Sequence, residues 1–192
     1  MKNLDIEAVF IVLTIGHSSR TLEDFISILR KYHVQRVVDI RTVPRSRHNV
    51  QFNQEELAKS LETVGIGYVH MSGLGGFRRS QGVSINMGWR SLAFRGFADY
   101  MQTKEFNESL QALIELAKTE RVVLMCAEAV PWRCHRSLIA DALSVRDVQV
   151  KHIFSSTSLR DHRMTSFAKV EGRNITYPPS NQEKNANTLR SG

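Results

Sequence analysis

Residues 121–143, RVVLMCAEAVPWRCHRSLIADAL, hold both cysteines of this 192-residue chain. They also bring together Glu128, Arg133, His135 and Arg136, so two thiols, a carboxylate, an imidazole and two guanidiniums fall in one short segment. Cations near a thiol favour the thiolate, which is the nucleophilic form. Glu128 and His135 are suited to carry protons, and guanidiniums suit paired contacts to phosphate or carboxylate. Cys126 ends an apolar run, and Leu138, Ile139, Ala142 and Leu143 then recur at helical spacing, which predicts strand, loop, helix. In open α/β sheets ligands bind at the carboxyl ends of such strands. Burial as small hydrophobes is the ordinary fate of free cysteines. It would account for Cys126 but not for the polar set around it, so the segment reads as a site.

The elements that must position this segment follow from the remaining apolar pattern. Residues 8–15 predict a buried strand ending at His17 and Ser18. A helix follows, with Thr21 and Asp24 as a capping box and Leu22, Phe25, Leu29 and Tyr32 facing inward. Residues 36–40 predict a second strand that delivers Asp39 and Arg41 to a basic loop over 41–52. Asn53 and Glu56 form the next cap pair, before a helix burying Leu57, Leu61 and Val64. Residues 67–70 give a third strand ending at His70, followed by a long glycine-containing loop over 71–90. Residues 91–101 predict a short helix. Thr103 caps a longer one that buries Phe106, Leu110, Leu113, Ile114 and Ala117. Residues 148–154 give a fifth strand, residues 160–170 a helical turn or two, and residues 174–177 an edge strand.

Strands alternating with helices predict a three-layer αβα sandwich around a mainly parallel sheet, a Rossmann-like single domain over residues 1–177. Residues 178–192, rich in Asn, Gln, Ser and Lys, predict a disordered tail. In a parallel sheet the ends carrying His17, Asp39, His70 and Cys126 share one edge, so the ionisable groups are expected around one pocket.

No apolar run reaches the roughly 18–20 residues that span a bilayer, no signal-peptide pattern opens the chain, and two cysteines do not make a disulfide scaffold. A cytoplasmic protein without membrane contact is expected. Lys and Arg total 26 against 19 Asp and Glu, a net charge of +7, which favours an anionic partner: nucleotide, nucleic acid or phosphorylated metabolite. Arg41, Arg45, Arg47, Arg133 and Arg136 stand in or beside predicted loops where such an anion would be met. The helix after Arg133 lacks a capping side chain, which predicts free amides for that anion. Aromatics at Phe77, Trp89, Phe94 and Phe97 interleave with Arg78, Arg79, Arg90 and Arg95, as on a surface that stacks single-stranded bases; packing of those rings onto the core is the plainer alternative.

The stretches IGHSSRTLEDF, VVDIRTVPRSR and MCAEAVPWRCHRSLIA resemble the signature blocks of the family called domain of unknown function 488, from about Thr14 to about Phe154. The resemblance implies one α/β domain with these blocks around a single pocket, and it implies no reaction. The matching positions are His17 and Ser18, then Asp39, Arg41, Pro44, Ser46 and Arg47. Gly75 and Gly76 follow, and then Cys126, Glu128, Cys134, His135 and Arg136. The strand–Cys–loop–Arg–helix order also resembles rhodanese-like sulfurtransferases and cysteine phosphatases. Here six residues separate Cys126 from Arg133, one more than the phosphatase loop holds. Glu128 would repel a phosphate, and Pro131 and Trp132 replace the glycines that let amides converge.

The seven residues between the cysteines do not match the two-to-four-residue spacing of structural zinc sites, so no metal and no cofactor are expected. The expected function is binding of an anionic ligand at the carboxyl edge of the sheet. Cys126, Glu128, His17 and His135 are the candidate catalytic groups. Arg41, Arg45, Arg47, Arg133 and Arg136 are the candidate anion ligands, and Ser18, Asp39 and Cys134 complete the pocket. The alternatives are a non-catalytic nucleic-acid-binding module and a rhodanese-like or phosphatase-like cysteine enzyme.

Overall fold

Side-chain alternation along the strands sorts the helices into two layers. The computed structural model describes residues 10–80 and 82–179. Its parallel strands are β1 (Ile11–Gly16), β2 (Arg36–Asp39), β3 (Gly67–His70), β4 (Val122–Cys126) and β5 (Gln149–Ser155). With an antiparallel β6 (Ser158–Asp161) they form one sheet in the order β3-β2-β4-β1-β5-β6. The helices are α1 (Leu22–Lys31), α2 (Gln54–Glu62), α3 (Leu92–Tyr100), α4 (Lys104–Thr119) and α5 (Arg136–Ser144). Leu13, Ile15, Val37, Val123 and Met125 share a buried cluster with Phe25, Ile28 and Leu29 of α1 and with Leu57 and Leu61 of α2. The alternate residues, Val12, Val38, Leu124 and Cys126, pack with Phe97 of α3, Leu110 and Leu113 of α4, and Leu138 and Ile139 of α5. The result is the three-layer α/β arrangement expected of strands that read as near-continuous apolar runs.

Side-chain hydroxyls cap three helices, at Thr21 and Thr103 as the sequence predicts and at Ser91 in addition. The hydroxyls of Thr21, Ser91 and Thr103 accept from the amides of Asp24, Phe94 and Phe106. The Asp24 carboxylate does not close the first capping box; it pairs with Arg20 at 3.0 Å. Asn53 stands at the start of α2, but its side-chain oxygen accepts the Ser46 amide at 2.7 Å and so ties down the basic loop instead of capping the helix. The loop over 71–90 is also anchored. Ser84 and Asn86 donate to the Asp99 carboxylate, and the Asn86 side-chain oxygen accepts the Tyr177 amide.

The helical turn expected over 160–170 is not formed. Ser158–Asp161 instead pairs along the outer edge of β5, and β7 (Lys169–Glu171) pairs with β8 (Asn174–Thr176) in a separate two-stranded ribbon. The physical reason is the open edge of β5: an unpaired row of amides and carbonyls outweighs a weak helical pattern. Gly172, at φ +61°, turns the ribbon in the left-handed conformation that glycine adopts without strain. Residues 8 and 9 of the expected first strand, and all but residues 178 and 179 of the expected disordered tail, lie outside the described residues. Among the described residues no helix is long and apolar enough to cross a membrane.

β1 and β4 are neighbours, yet the chain leaves β1 for α1 on one face and β4 for α5 on the other. A crevice at the carboxyl edge opens where connections part in this way.

Candidate functional site at the carboxyl edge of the sheet

The β1–β4 ladder continues past both strands, with the amides of His17 and Ser18 donating to the carbonyls of Cys126 and Ala127, each at 2.9 Å. This pairing sets the histidine beside the cysteine. The chain at Glu128 then folds across the end of β1 so closely that any Cβ at Gly16 would collide with the Glu128 carbonyl. Ser18 turns away in the left-handed region at φ 50°, a strained conformation for a residue with a side chain. The His17 ring stacks on Phe52 with centroids 4.3 Å apart. Its Nδ1–H donates to the Ser18 carbonyl at 2.9 Å, which leaves Nε2 as the lone pair facing the Arg41 guanidinium at 3.4 Å. Burial first, and the nearby Arg41 charge, pull His17 down to about 4 against the Ser18 bond, so the ring is neutral at pH 7.

Arg41 is held from behind. Its Nε and Nη2 donate to the fully buried Asp39 carboxylate, the shortest contact being 2.6 Å, and Nη2 also donates to the Phe52 carbonyl. The Tyr68 hydroxyl donates to the same carboxylate at 2.8 Å, and burial with the Asp39 charge pushes the Tyr68 phenol well up. Asp39 therefore orients Arg41 and does not itself reach the crevice.

The two sulfurs meet on the opposite wall. Cys126 ends β4 facing α5, and Cys134 follows a single 3₁₀ turn at Pro131–Arg133. Cys134 Sγ accepts from the Arg136 amide at 3.5 Å and from Arg136 Nε at 3.4 Å, and it lies 3.7 Å from His135 Nδ1. Hydrogen bonding from Cys126, and the nearby Arg136 charge, hold the Cys134 thiol well below its ordinary value, against burial, while the contact with Cys134 and burial push Cys126 up. Arg136 is the largest fully buried side chain of the protein's described part. Its Nη2 donates to the carbonyls of Glu128 and Ala129, so the guanidinium closes the 127–134 loop from beneath.

The first three amides of α5 are engaged and are not available to an anion. α5 begins at Arg136, whose amide faces Cys134 Sγ, and the next two amides donate to the carbonyls of Cys134 and His135.

One cavity of about 680 Å³, within the usual range for small-molecule sites, collects most of the candidate residues. His17, Ser18, Arg41, Arg45, Cys126, Glu128, Arg133, Cys134 and His135 line it, together with apolar residues that include Val43, Phe77 and Phe94. Three candidates lie elsewhere. Asp39 sits behind Arg41, Arg136 sits beneath the loop, and Arg47 lines a neighbouring depression with Glu55 and Glu56.

The sequence profile of one family, described as Domain of unknown function DUF488, matches residues 21–143. The chain belongs to this family. No curated protein and no solved structure gives a significant match. The DUF488 match takes in Arg41, both cysteines, Glu128 and His135, and begins just after His17 and Ser18.

Several supporting residues of this DUF488 chain escaped the sequence reading. Phe52 and Tyr68 position His17 and Arg41 but look like ordinary core aromatics. Gly76, already among the family-matching positions, lies so close to the His135 ring that a Cβ there would strike it. Behind α5 a further polar chain links Thr14, His152, His162 and Asp141 through contacts of 2.7, 3.0 and 2.8 Å, and Tyr177 donates to Asp141 at 2.8 Å. It joins β1, β5, α5 and the C-terminal segment, and no local spacing announced it.

Proposed function

We propose that this protein binds a small anionic ligand of nucleotide size in the carboxyl-edge cavity and that Cys126, Glu128, His17 and His135 serve chemistry on it. One observation carries the reading: a single cavity is lined both by apolar side chains, Val43, Phe77 and Phe94 among them, and by Arg41, Arg45 and Arg133. Such a pairing suits a ligand with an apolar ring at one end and a phosphate or carboxylate at the other. Arg41 is already oriented by Asp39, so its remaining donor capacity is fixed toward the cavity side occupied by His17. Arg45 and Arg133 are exposed and adjustable.

The packing of the 71–90 loop supports a small ligand over a polynucleotide. Trp89 packs against Phe94, Phe167 and Tyr177. The Arg78 guanidinium stacks on Tyr100 at 3.8 Å, and Arg95 donates to the Trp89 carbonyl. Trp89 is thus packed among neighbouring rings and Phe97 is buried, while Phe94, partly buried, and Phe77, 78% exposed, line the cavity.

Thermal denaturation in the presence of inorganic phosphate, nucleoside monophosphates and nucleoside diphosphates tests the reading. A ligand at 100 times its Kd stabilises the fold by about 2.7 kcal/mol. The gain should fall sharply in an Arg45→Ala/Arg133→Ala double variant. No stabilisation by any of these anions at millimolar concentration and low salt would overturn it.

A further inference from the structure

We propose that Cys126, Cys134 and His135 form a three-ligand site for a borderline-soft divalent metal ion of the zinc class, with the fourth coordination position open to the cavity. The two sulfurs and a ring nitrogen of His135 all lie within 4.8 Å of one another, and Cys134 Sγ is 3.7 Å from His135 Nδ1. Zn–S bonds near 2.3 Å and Zn–N bonds near 2.0–2.1 Å place the ligand atoms of a tetrahedron about 3.5–3.8 Å apart. The Cys134–His135 edge already has that length, and the remaining edges need to close by about an ångström at most.

The donor set selects the ion. Two sulfurs and an imidazole suit zinc and disfavour magnesium or calcium, which take oxygen ligands. The surroundings orient each donor. His135 Nε2–H donates to the Ile40 carbonyl at 3.2 Å, which fixes the tautomer and turns the Nδ1 lone pair toward the sulfurs. Phe97, with its centroid 5.0 Å from the imidazole, and Gly76 hold the ring between them. Arg136 donates its amide and its Nε–H to Cys134 Sγ, as outer donors do around metal-bound sulfur. The seven-residue separation that argued against zinc reflects a loop folded back on itself: Arg136 pulls the Glu128 and Ala129 carbonyls inward and brings the cysteines together.

Both sulfurs are nearly buried, Cys126 being 7% and Cys134 3% exposed, yet both line the cavity with His135. A structural zinc site is closed by four protein ligands, whereas a catalytic one keeps a position for substrate or water. Here the open side faces the space assigned above to the anionic ligand, and Glu128 is the one carboxylate among its described lining residues. The metal would then be the group on which that ligand's oxygen is held; this part rests on the preceding reading, while ion binding itself does not.

The test uses the full chain purified with reductant and without chelator. Metal content by mass spectrometry should approach one zinc per chain. Cobalt titrated into the metal-free protein should produce sulfur-to-cobalt charge-transfer absorption and tetrahedral visible bands that saturate at one equivalent. Cys126→Ala, Cys134→Ala and His135→Ala should each weaken cobalt binding by at least about 100-fold, the upper end of the loss caused by an outer partner alone. Glu55→Gln, in the neighbouring depression, should leave it unchanged. Circular dichroism separates loss of ligation from loss of folding, and the wild-type cobalt spectrum decides the matter without any variant. Absence of thiolate–cobalt absorption in reduced wild-type protein, or binding that survives Cys134→Ala and His135→Ala together, would overturn the site. Anion stabilisation without metal binding would overturn the metal alone, and metal binding without anion stabilisation would overturn the ligand alone.

Discussion

Arg136 illustrates what residue type does and does not disclose. Its place beside two cysteines marked it for the site, and a guanidinium in a basic protein naturally suggested an anion ligand. The structure turns it inward, 1% exposed, onto Cys134 Sγ and two loop carbonyls. Nothing in the local sequence gives that direction, because it depends on how the 127–134 loop crosses the end of β1. Replacing Arg136 with methionine keeps the aliphatic volume but leaves a sulfur and two carbonyls without their donor. The expected cost is about 3 kcal/mol, the order seen when one partner of a buried charged contact is removed. Denaturant titration measures it; a cost under about 1 kcal/mol would show the guanidinium to be dispensable. His17, Cys126 and Glu128 were legible as residues because their strand ends were legible, and His135 because it precedes the apolar stripe of α5. Asp39 was legible as polar, but its role behind Arg41 required Tyr68 and the buried carboxylate geometry.

At the scale of elements, the parallel strands were readable because each is an apolar run between turn signals, and the capping residues Thr21 and Thr103 marked real helix starts. Beyond β5 the pattern was readable only in part: the edge strand expected at 174–177 appears as β8, but the short strands β6 and β7, which pair in hairpins with β5 and β8, carry too little apolar alternation to announce themselves. Gly16→Ala probes the junction of β1 with the Glu128 loop. Its Cβ meets backbone, not a movable side chain, so the loop must shift at a cost of about 1–3 kcal/mol. A variant with unchanged stability would contradict the close approach.

The polar chain behind α5 predicts acid sensitivity. Burial first, then the charges of His162 and Arg136, pull His152 from 6.5 down to about 4, against Asp141 and Cys134. The neutral ring is favoured in the fold, so this contribution is present above pH 6.5 and is lost as the pH falls toward 4. Its slope is about 1.4 kcal/mol per pH unit inside that window, up to about 3 kcal/mol in all. His152→Asn should remove that slope between pH 4 and 6.5 when unfolding free energy is measured against pH. An unaltered pH profile would show that His152 does not titrate with folding.

For the whole molecule, the net charge of +7 favours anions but does not by itself distinguish a phosphate held in one cavity from a nucleic-acid strand laid across the basic edge. The structure divides the arginines. Arg41, Arg45 and Arg133 line the cavity, Arg47 lies in the adjacent depression, and Arg78 and Arg95 are engaged within the fold. A ligand confined to the cavity engages few phosphates, so log K against log salt should fall with a slope near −1, at about −0.7 per phosphate on a single strand. That slope should flatten in Arg45→Ala/Arg133→Ala and be insensitive to Arg79→Ala. A strand tracking the edge through Arg45, Arg47 and Arg79 would give a slope of roughly −2 to −3, reduced by each of those substitutions. Binding of phosphate, a nucleoside diphosphate and a short single-stranded oligonucleotide, measured across salt concentrations, separates the two. A steep slope for the oligonucleotide that depends on Arg47 and Arg79 would place recognition on the surface and not in the cavity.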